Sequence, residues 1–175
     1  IIYYVGDLEF SNPIFSNNDS KIFFIDGKDI KVIDKDGSNM KTILRSEYFI
    51  KSFDLSPNGE KIVYEISPSI KYPDITVFNW ESGKKLQSTY VTGTLPKWLN
   101  NNEYLFINGG HSGSITQIQK MTLSDVISDY VWENITNFKN QYLGPGINDY
   151  SFSPDRSEIV FINNDELIIT STVSG

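Results

Sequence analysis

Lys61-Ile62-Val63-Tyr64-Glu65-Ile66, preceded by Ser56-Pro57-Asn58-Gly59-Glu60, is the stretch on which the fold turns. It is a near-continuous apolar run behind a polar turn, the pattern of a strand covered on both faces. The pattern occurs four times. Lys21-Ile22-Phe23-Phe24-Ile25-Asp26, Glu103-Tyr104-Leu105-Phe106-Ile107-Asn108 and Glu158-Ile159-Val160-Phe161-Ile162-Asn163 are versions of the same strand. Their turns are Asn17-Asn18-Asp19-Ser20, Asn100-Asn101-Asn102 and Ser153-Pro154-Asp155-Arg156-Ser157. The runs begin 40, 42 and 55 residues apart. A repeat of ~40–45 residues that holds several strands marks sheets stacked around an axis, a β-propeller.

Each unit can be extended outward from its central run. A short first strand precedes the turn, at Pro13–Ser16, Phe53–Ser56, Pro96–Leu99 and Tyr150–Ser153. A third strand follows, at Asp29–Asp34, Asp74–Asn79, Ser114–Gln119 and Glu166–Thr170, with the alternation of a half-buried strand. Asp36-Gly37 and Ser82-Gly83 then turn the chain into fourth strands at Lys41–Leu44 and Lys85–Ser88. The sequence thus predicts an all-β propeller segment of about four four-stranded antiparallel blades, in one domain over residues 1–175. Its units span 11–50, 51–93, 94–145 and 146–175, and residues 1–10 form a spare strand. The third unit is the longest. Val126, Ile127, Tyr130, Val131, Ile135 and Phe138 fit a helical stripe, whereas the strand reading puts Tyr130 and Trp132 on one face. The strand with a long loop is favoured, because the blade needs its fourth strand there.

The composition narrows the classes of function. A chain of 175 residues, 39% hydrophobic and 14% aromatic, can bury a sizeable core. A net charge of −7 and scattered basic residues argue against a nucleic-acid surface. The absence of cysteine removes disulfides and thiolate metal sites, and a single His disfavours zinc. Ile1-Ile2-Tyr3-Tyr4-Val5 is too short for a membrane span or a signal peptide. The first residue is not Met, which reads as a processed or excised piece. Abundant Asn, Ile and Lys beside only Arg45 and Arg156 suit a bacterial, AT-rich source.

Leu55-Ser56-Pro57-Asn58-Gly59-Glu60-Lys61-Ile62-Val63-Tyr64 resembles the repeat of TolB-like (WD40-like) propellers, and Phe152–Phe161 is similar with Arg156 in place of the glycine. The likeness covers residues 11–175 as repeats. It implies a scaffold that binds a protein or peptide, with no catalytic residue carried onto any position here, and an extracytoplasmic or cell-surface setting. Relatives of the repeat also include the gating propellers of prolyl-oligopeptidase-like hydrolases, which is the alternative it implies. It further implies a ring with more blades than this chain supplies.

The motifs that suggest chemistry are weak. Gly110-His111-Ser112-Gly113-Ser114 misses the nucleophile-elbow pattern at its last residue, and strand follows strand where the elbow needs a helix. Asp34-Lys35-Asp36-Gly37-Ser38-Asn39 lacks the later Glu of a calcium loop and reads as a hairpin. No enzyme activity, cofactor or metal is expected. Asp54, Asp74 and Asp165 read as one structural carboxylate per unit. Trp98 reads as core. The candidates for partner contact are Trp132, Phe138, Tyr142 and His111, mostly in the irregular third unit, because loops carry binding on such scaffolds. The last unit stops after its third strand, so an open edge at Leu167–Thr170 invites self-association. Closure by the N-terminal strand, by a second chain or by a longer propeller are the three ways to cover it.

Overall fold

The computed structural model describes residues 10–68, 73–108, 116–124, 131–138 and 146–173, with backbone alone for 87–92. The described residues contain strands and turns and no helix. The first sheet is β1 (Phe10–Phe15), β2 (Lys21–Asp26), β3 (Asp29–Asp34) and β4 (Lys41–Arg45), paired antiparallel in that order. The second holds β5 (Ile50–Leu55), β6 (Lys61–Ile66), β7 (Asp74–Asn79) and the first part of β8 (Lys84–Trp98). The end of β8 pairs onward with β9 (Glu103–Asn108), followed by β10 (Gln117–Thr122) and β11 (Val131–Asn134). β12 (Tyr150–Phe152), β13 (Glu158–Asn163) and β14 (Glu166–Ser171) form the fourth. The four apolar runs are therefore the second strands of four separate antiparallel blades, with the limits read from the sequence.

The first strands of blades one and two begin at Phe10 and Ile50 rather than at Pro13 and Phe53, and other limits differ as well. The outer strand of blade two and the inner strand of blade three are one continuous strand, β8, which crosses from one blade to the next. The third strand of blade three runs Gln117–Thr122, past the expected end at Gln119, while Ser114 and Ile115 of the expected range lie outside the described residues. Met121 explains the extension, because its side chain is fully buried toward blade two and must lie within the strand. The helical reading of the third unit gives way to a strand at Val131–Asn134, where β11 completes the ladder of β10.

The turn between first and second strands is built the same way in three blades. The oxygen of Asn18, Asn58 or Asp155 accepts a hydrogen bond from the hydroxyl of Ser16, Ser56 or Ser153 at 2.7–2.8 Å. That hydroxyl in turn accepts the N–H of Lys21, Lys61 or Glu158 at 2.9–3.0 Å. The next residue adopts the left-handed conformation, with φ of 52° at Asp19, 76° at Gly59 and 60° at Arg156. Glycine is the least strained of the three there, and the side-chain circuit holds the other two in place.

Blades stack through three separate cores. Phe23, Ile25, Ile30 and Val32 of blade one meet Phe53, Leu55, Ile62, Tyr64 and Phe78 of blade two. Val63, Ile75 and Val77 then meet Trp98, Tyr104, Phe106 and Met121. Leu105, Ile107 and Ile118 meet Tyr150, Ile159 and Phe161. Each such aliphatic or aromatic side chain is worth ~1.5–3 kcal/mol when fully buried, so the stack and not the single sheet supplies the stability.

Gly93 marks the point where β8 passes between two blades. A Cβ there would lie 2.5 Å from the Phe106 ring and 2.8 Å from Ile75 Cδ1, both inside the second core. Gly93→Ala should lower stability in chemical denaturation by about 1–3 kcal/mol, the range for an overpacked core. Gly83→Ala, whose Cβ would meet nothing within 4 Å, should cost only the strain of its φ of 68°.

Candidate functional site

The inner strands of successive blades lie side by side, β1 beside β5 and β5 beside the end of β8. Polar side chains join them across the gaps. Asp54, the last residue but one of β5, accepts the backbone N–H of Trp98 at 2.8 Å, and its carbonyl accepts the indole N–H of the same residue at 3.2 Å. Lys97 holds the equivalent position in blade three. Its ammonium donates to Asp149 Oδ1 at 2.9 Å and to the Tyr150 carbonyl, and it lies 4.7 Å from the centre of the Tyr150 ring. Arg156 donates to the Trp98 carbonyl from the turn of blade four. The Tyr150 hydroxyl reaches the carbonyls of Leu105 at 2.8 Å and Leu95 at 3.1 Å.

A second carboxylate lies deeper. Glu65, 7% exposed on β6, accepts the hydroxyl of Ser52 at 2.9 Å and the N–H of Leu95 at 3.0 Å. Leu95 has a φ of 51°, unusual for a branched residue, and β8 slips its register between Thr94 and Lys97. The bulge recurs at Asn12 in β1, with φ 52° and again directly before a proline. Burial raises the carboxyls of both Glu65 and Asp54, that of Asp54 to about 6. The Trp98 N–H and the charges of Arg156 and Lys97 oppose the shift at Asp54 without cancelling it. Burial likewise keeps the Tyr150 phenol protonated far above its usual range.

These groups pin strands to one another. Asp54, Glu65, Lys97, Arg156 and Tyr150 each bond a backbone group across a blade boundary, and Ser52 braces Glu65 from within blade two. Among the described residues, no cluster of His, Asp or Glu is arranged to hold a metal ion.

The sequence candidates fall elsewhere. Trp132 is on β11, the outer strand of blade three, and is 53% exposed beside Val131 at 62%. Phe138 is turned inward. It packs edge-on against Phe161 with ring centres 6.0 Å apart, and Gln117 bonds both its N–H and its carbonyl. Tyr142 and His111 lie outside the described residues. Trp98 is fully buried, as expected of core. Asp54, Asp74 and Asp165 are not equivalent: Asp54 is the last residue but one of β5, Asp74 opens β7, and Asp165 sits in the hairpin before β14. Counting back from the first-turn residues Ser56, Leu99 and Ser153 aligns Asp54 with Lys97 and Ser151 instead. That alignment is the signal that would have found the linking residues.

Sheets stacked on shared cores, with inner strands side by side, define the class as a β-propeller. No family model matches the sequence, and no curated protein matches it. Solved structures do. TolB from Acinetobacter baumannii superposes with a TM-score of 0.67 at 14% identity, covering 94% of this chain and 43% of that one. The Cps50 (Swd1) β-propeller domain of Myceliophteria thermophila gives 0.74 at 8% identity, over 98% and 55%. A structure from a study of two prolyl endopeptidases gives 0.61 at 14% identity, over 95% and 29%. The fold is thus that of a TolB-like propeller, and the chain spans about half the length of the TolB and Swd1 structures it matches.

The raised carboxyl of Asp54 has a definite pH consequence. Its folded pKa of about 6 exceeds the value of 3.8 for an unperturbed Asp. The stabilisation from its bound proton is fully present below the lower value and is lost as pH rises through the upper one. Asp54→Asn keeps an acceptor for Trp98 and carries no charge. It should raise stability at pH 7 by about 1–3 kcal/mol and leave it unchanged well below the unperturbed value, as thermal melts at neutral pH and at about pH 3 would show.

Proposed function

We propose that the chain is a non-catalytic module that binds protein or peptide partners outside the cytoplasm. The observation that carries this reading is the exposed apolar pair Val131 and Trp132 on the outer strand of blade three, displayed by a propeller of TolB-like fold. Aromatic side chains held on a rigid strand are favoured contact residues, since they lose little rotamer freedom on binding. The polar groups at the inner strands serve the scaffold and leave the outer surface free for recognition. A net charge of −7 favours basic or neutral partners over acidic ones. The likeness to TolB supports an extracytoplasmic setting. Among the described residues no helix is long and apolar enough to cross a membrane.

The prolyl endopeptidase likeness supports a second reading, in which the propeller gates a hydrolase domain of a longer protein. The two differ in whether the full-length gene product cleaves a peptide substrate.

Panning a random peptide library on the immobilised chain tests the binding reading. Wild type should enrich a peptide family whose capture falls at least ten-fold with Trp132→Ala. The melting temperature should not move, because the side chain is half in solvent. Capture indifferent to Trp132→Ala would remove this surface from the proposal.

A further inference from the structure

A groove of about 410 Å³ opens between blades one and two, where the turn at Asn17, Asn18 and Ser20 faces the turn at Asn58, Gly59 and Glu60. Half-buried Trp80, the residue directly after β7, forms its apolar wall. The ring is held in one orientation. Its indole N–H donates to the Gly59 carbonyl at 2.6 Å, and its backbone N–H to the Glu60 carbonyl at 3.3 Å. Phe23 packs edge-on against it, with ring centres 5.3 Å apart.

The next boundary shows why this one is open. There the Asn58 N–H donates to Asn101 Oδ1 at 2.9 Å. The Lys61 ammonium donates to the Asn101 carbonyl at 2.7 Å and to Asn102 Oδ1 at 3.1 Å. Lys21 holds the place of Lys61 in blade one, but it is drawn to Asp34 of its own blade. Among the described residues no hydrogen bond joins the turn of blade one to that of blade two.

The groove is lined by polar groups with bonding capacity to spare. Asn18 Oδ1 accepts from the Ser16 and Ser20 hydroxyls and from the Ser20 N–H. Asn58 Oδ1 accepts from the Ser56 hydroxyl and the Glu60 N–H. With Oδ1 gripped in this way, each Nδ2 is fixed as a pair of donors that the turn does not use. Asn17 Nδ2 lies 3.8 Å from the point where a Cβ on Gly59 would stand, so this amide reaches across to the second turn. The side chains of Asn17, Glu60 and Glu81 are exposed and have no hydrogen-bond or ion-pair partner among the described residues.

We infer that this groove is a binding site for a neutral saccharide. A sugar ring has an apolar C–H face and a rim of hydroxyls, each of which donates and accepts. The C–H face suits the Trp80 ring, and the rim suits the asparagine donors together with the glutamate acceptors. An anionic ligand would meet the charges of Glu60 and Glu81, which no cation offsets. A cationic ligand has donors only and would leave the amide N–H groups without partners. The volume lies within the ~300–1,000 Å³ of small-molecule sites. Exposed Lys41, with its ammonium 5.7 Å from the Trp80 ring centre, is the side chain a ligand would displace. That distance is close to the ~6 Å limit of a cation–π contact, so it is readily given up. The site is separate from Val131 and Trp132 on the outer strand of blade three.

A glycan array tests the inference on the fluorescently labelled 175-residue chain. The array carries neutral oligosaccharides of hexoses and N-acetylhexosamines, sialylated and uronate-containing oligosaccharides, and an oligo-arginine peptide. Wild type should be captured by neutral oligosaccharides. Capture should fall at least ten-fold with Asn17→Ala and with Glu81→Ala, at an unchanged melting temperature, because both side chains are exposed and unpaired. Trp132→Ala should leave it unchanged. Retention on no neutral oligosaccharide above the bare surface would overturn the inference. Capture indifferent to both substitutions would place the binding elsewhere and overturn it, as would preference for the acidic oligosaccharides or the oligo-arginine peptide.

Discussion

Each blade has two apolar faces, and a sheet of three or four strands cannot hide both by itself. This constraint governs the rest of the structure. The central strands β6 and β9 carry buried side chains on both sides, and they are covered only because a sheet lies before and after them. Stacking is therefore a condition of the fold and not a consequence of it. A propeller resolves the problem by repetition, since each blade uses one face to cover its predecessor and offers the other to its successor. Trp98 and Tyr104, edge-on at 5.8 Å, fill one such joint, and Phe138 with Phe161 at 6.0 Å fills the next.

Apolar stacking is non-directional, so it does not by itself set how one blade sits on another. The inner-strand bonds add that direction. Glu65 and Asp54 are held where burial disfavours their charge, and both carboxyls rise in consequence. Glu65 satisfies the N–H of Leu95, which lies within the bulge of β8, and Asp54 satisfies the N–H of Trp98, which lies beyond it. Lys97 repeats the connection with opposite charge one blade further on. A charge-bearing link that costs stability near neutral pH, yet fixes the register of two blades, trades energy for geometry.

The turns show a different economy. Three of them use one circuit, in which a serine hydroxyl is gripped by Asn or Asp two residues on and accepts an N–H from the strand that follows. Where the acceptor is Asp155, these bonds pull its carboxyl down to about 2. The circuit is local, and it explains why Asp19 and Arg156 are tolerated in a conformation that suits Gly59 better. Blade three lacks the serine. Its turn is one residue shorter, and Asn100 accepts the N–H groups of Asn102 and Glu103 instead.

Patterns that are local in the chain were legible in the sequence. The four apolar runs, their turns and their period identified second strands whose limits the structure keeps, because a strand covered on both faces must be apolar at consecutive positions. The preference for a strand at Trp132 followed from the same repeat. What the sequence could not decide depends on contacts between residues far apart. The fusion of two expected strands into β8 depends on Gly93 slipping between Phe106 and Ile75. The position of β10 depends on Met121 reaching blade two. Phe138 and Trp132 are both aromatic and six residues apart, yet one plugs a core and the other faces solvent, since only the first lies against blade four. Asp54 looked like one carboxylate among several until its neighbour across the blade boundary was in place. Periodicity along the chain determined the blades, and the packing of one blade on the next decided the role of each side chain.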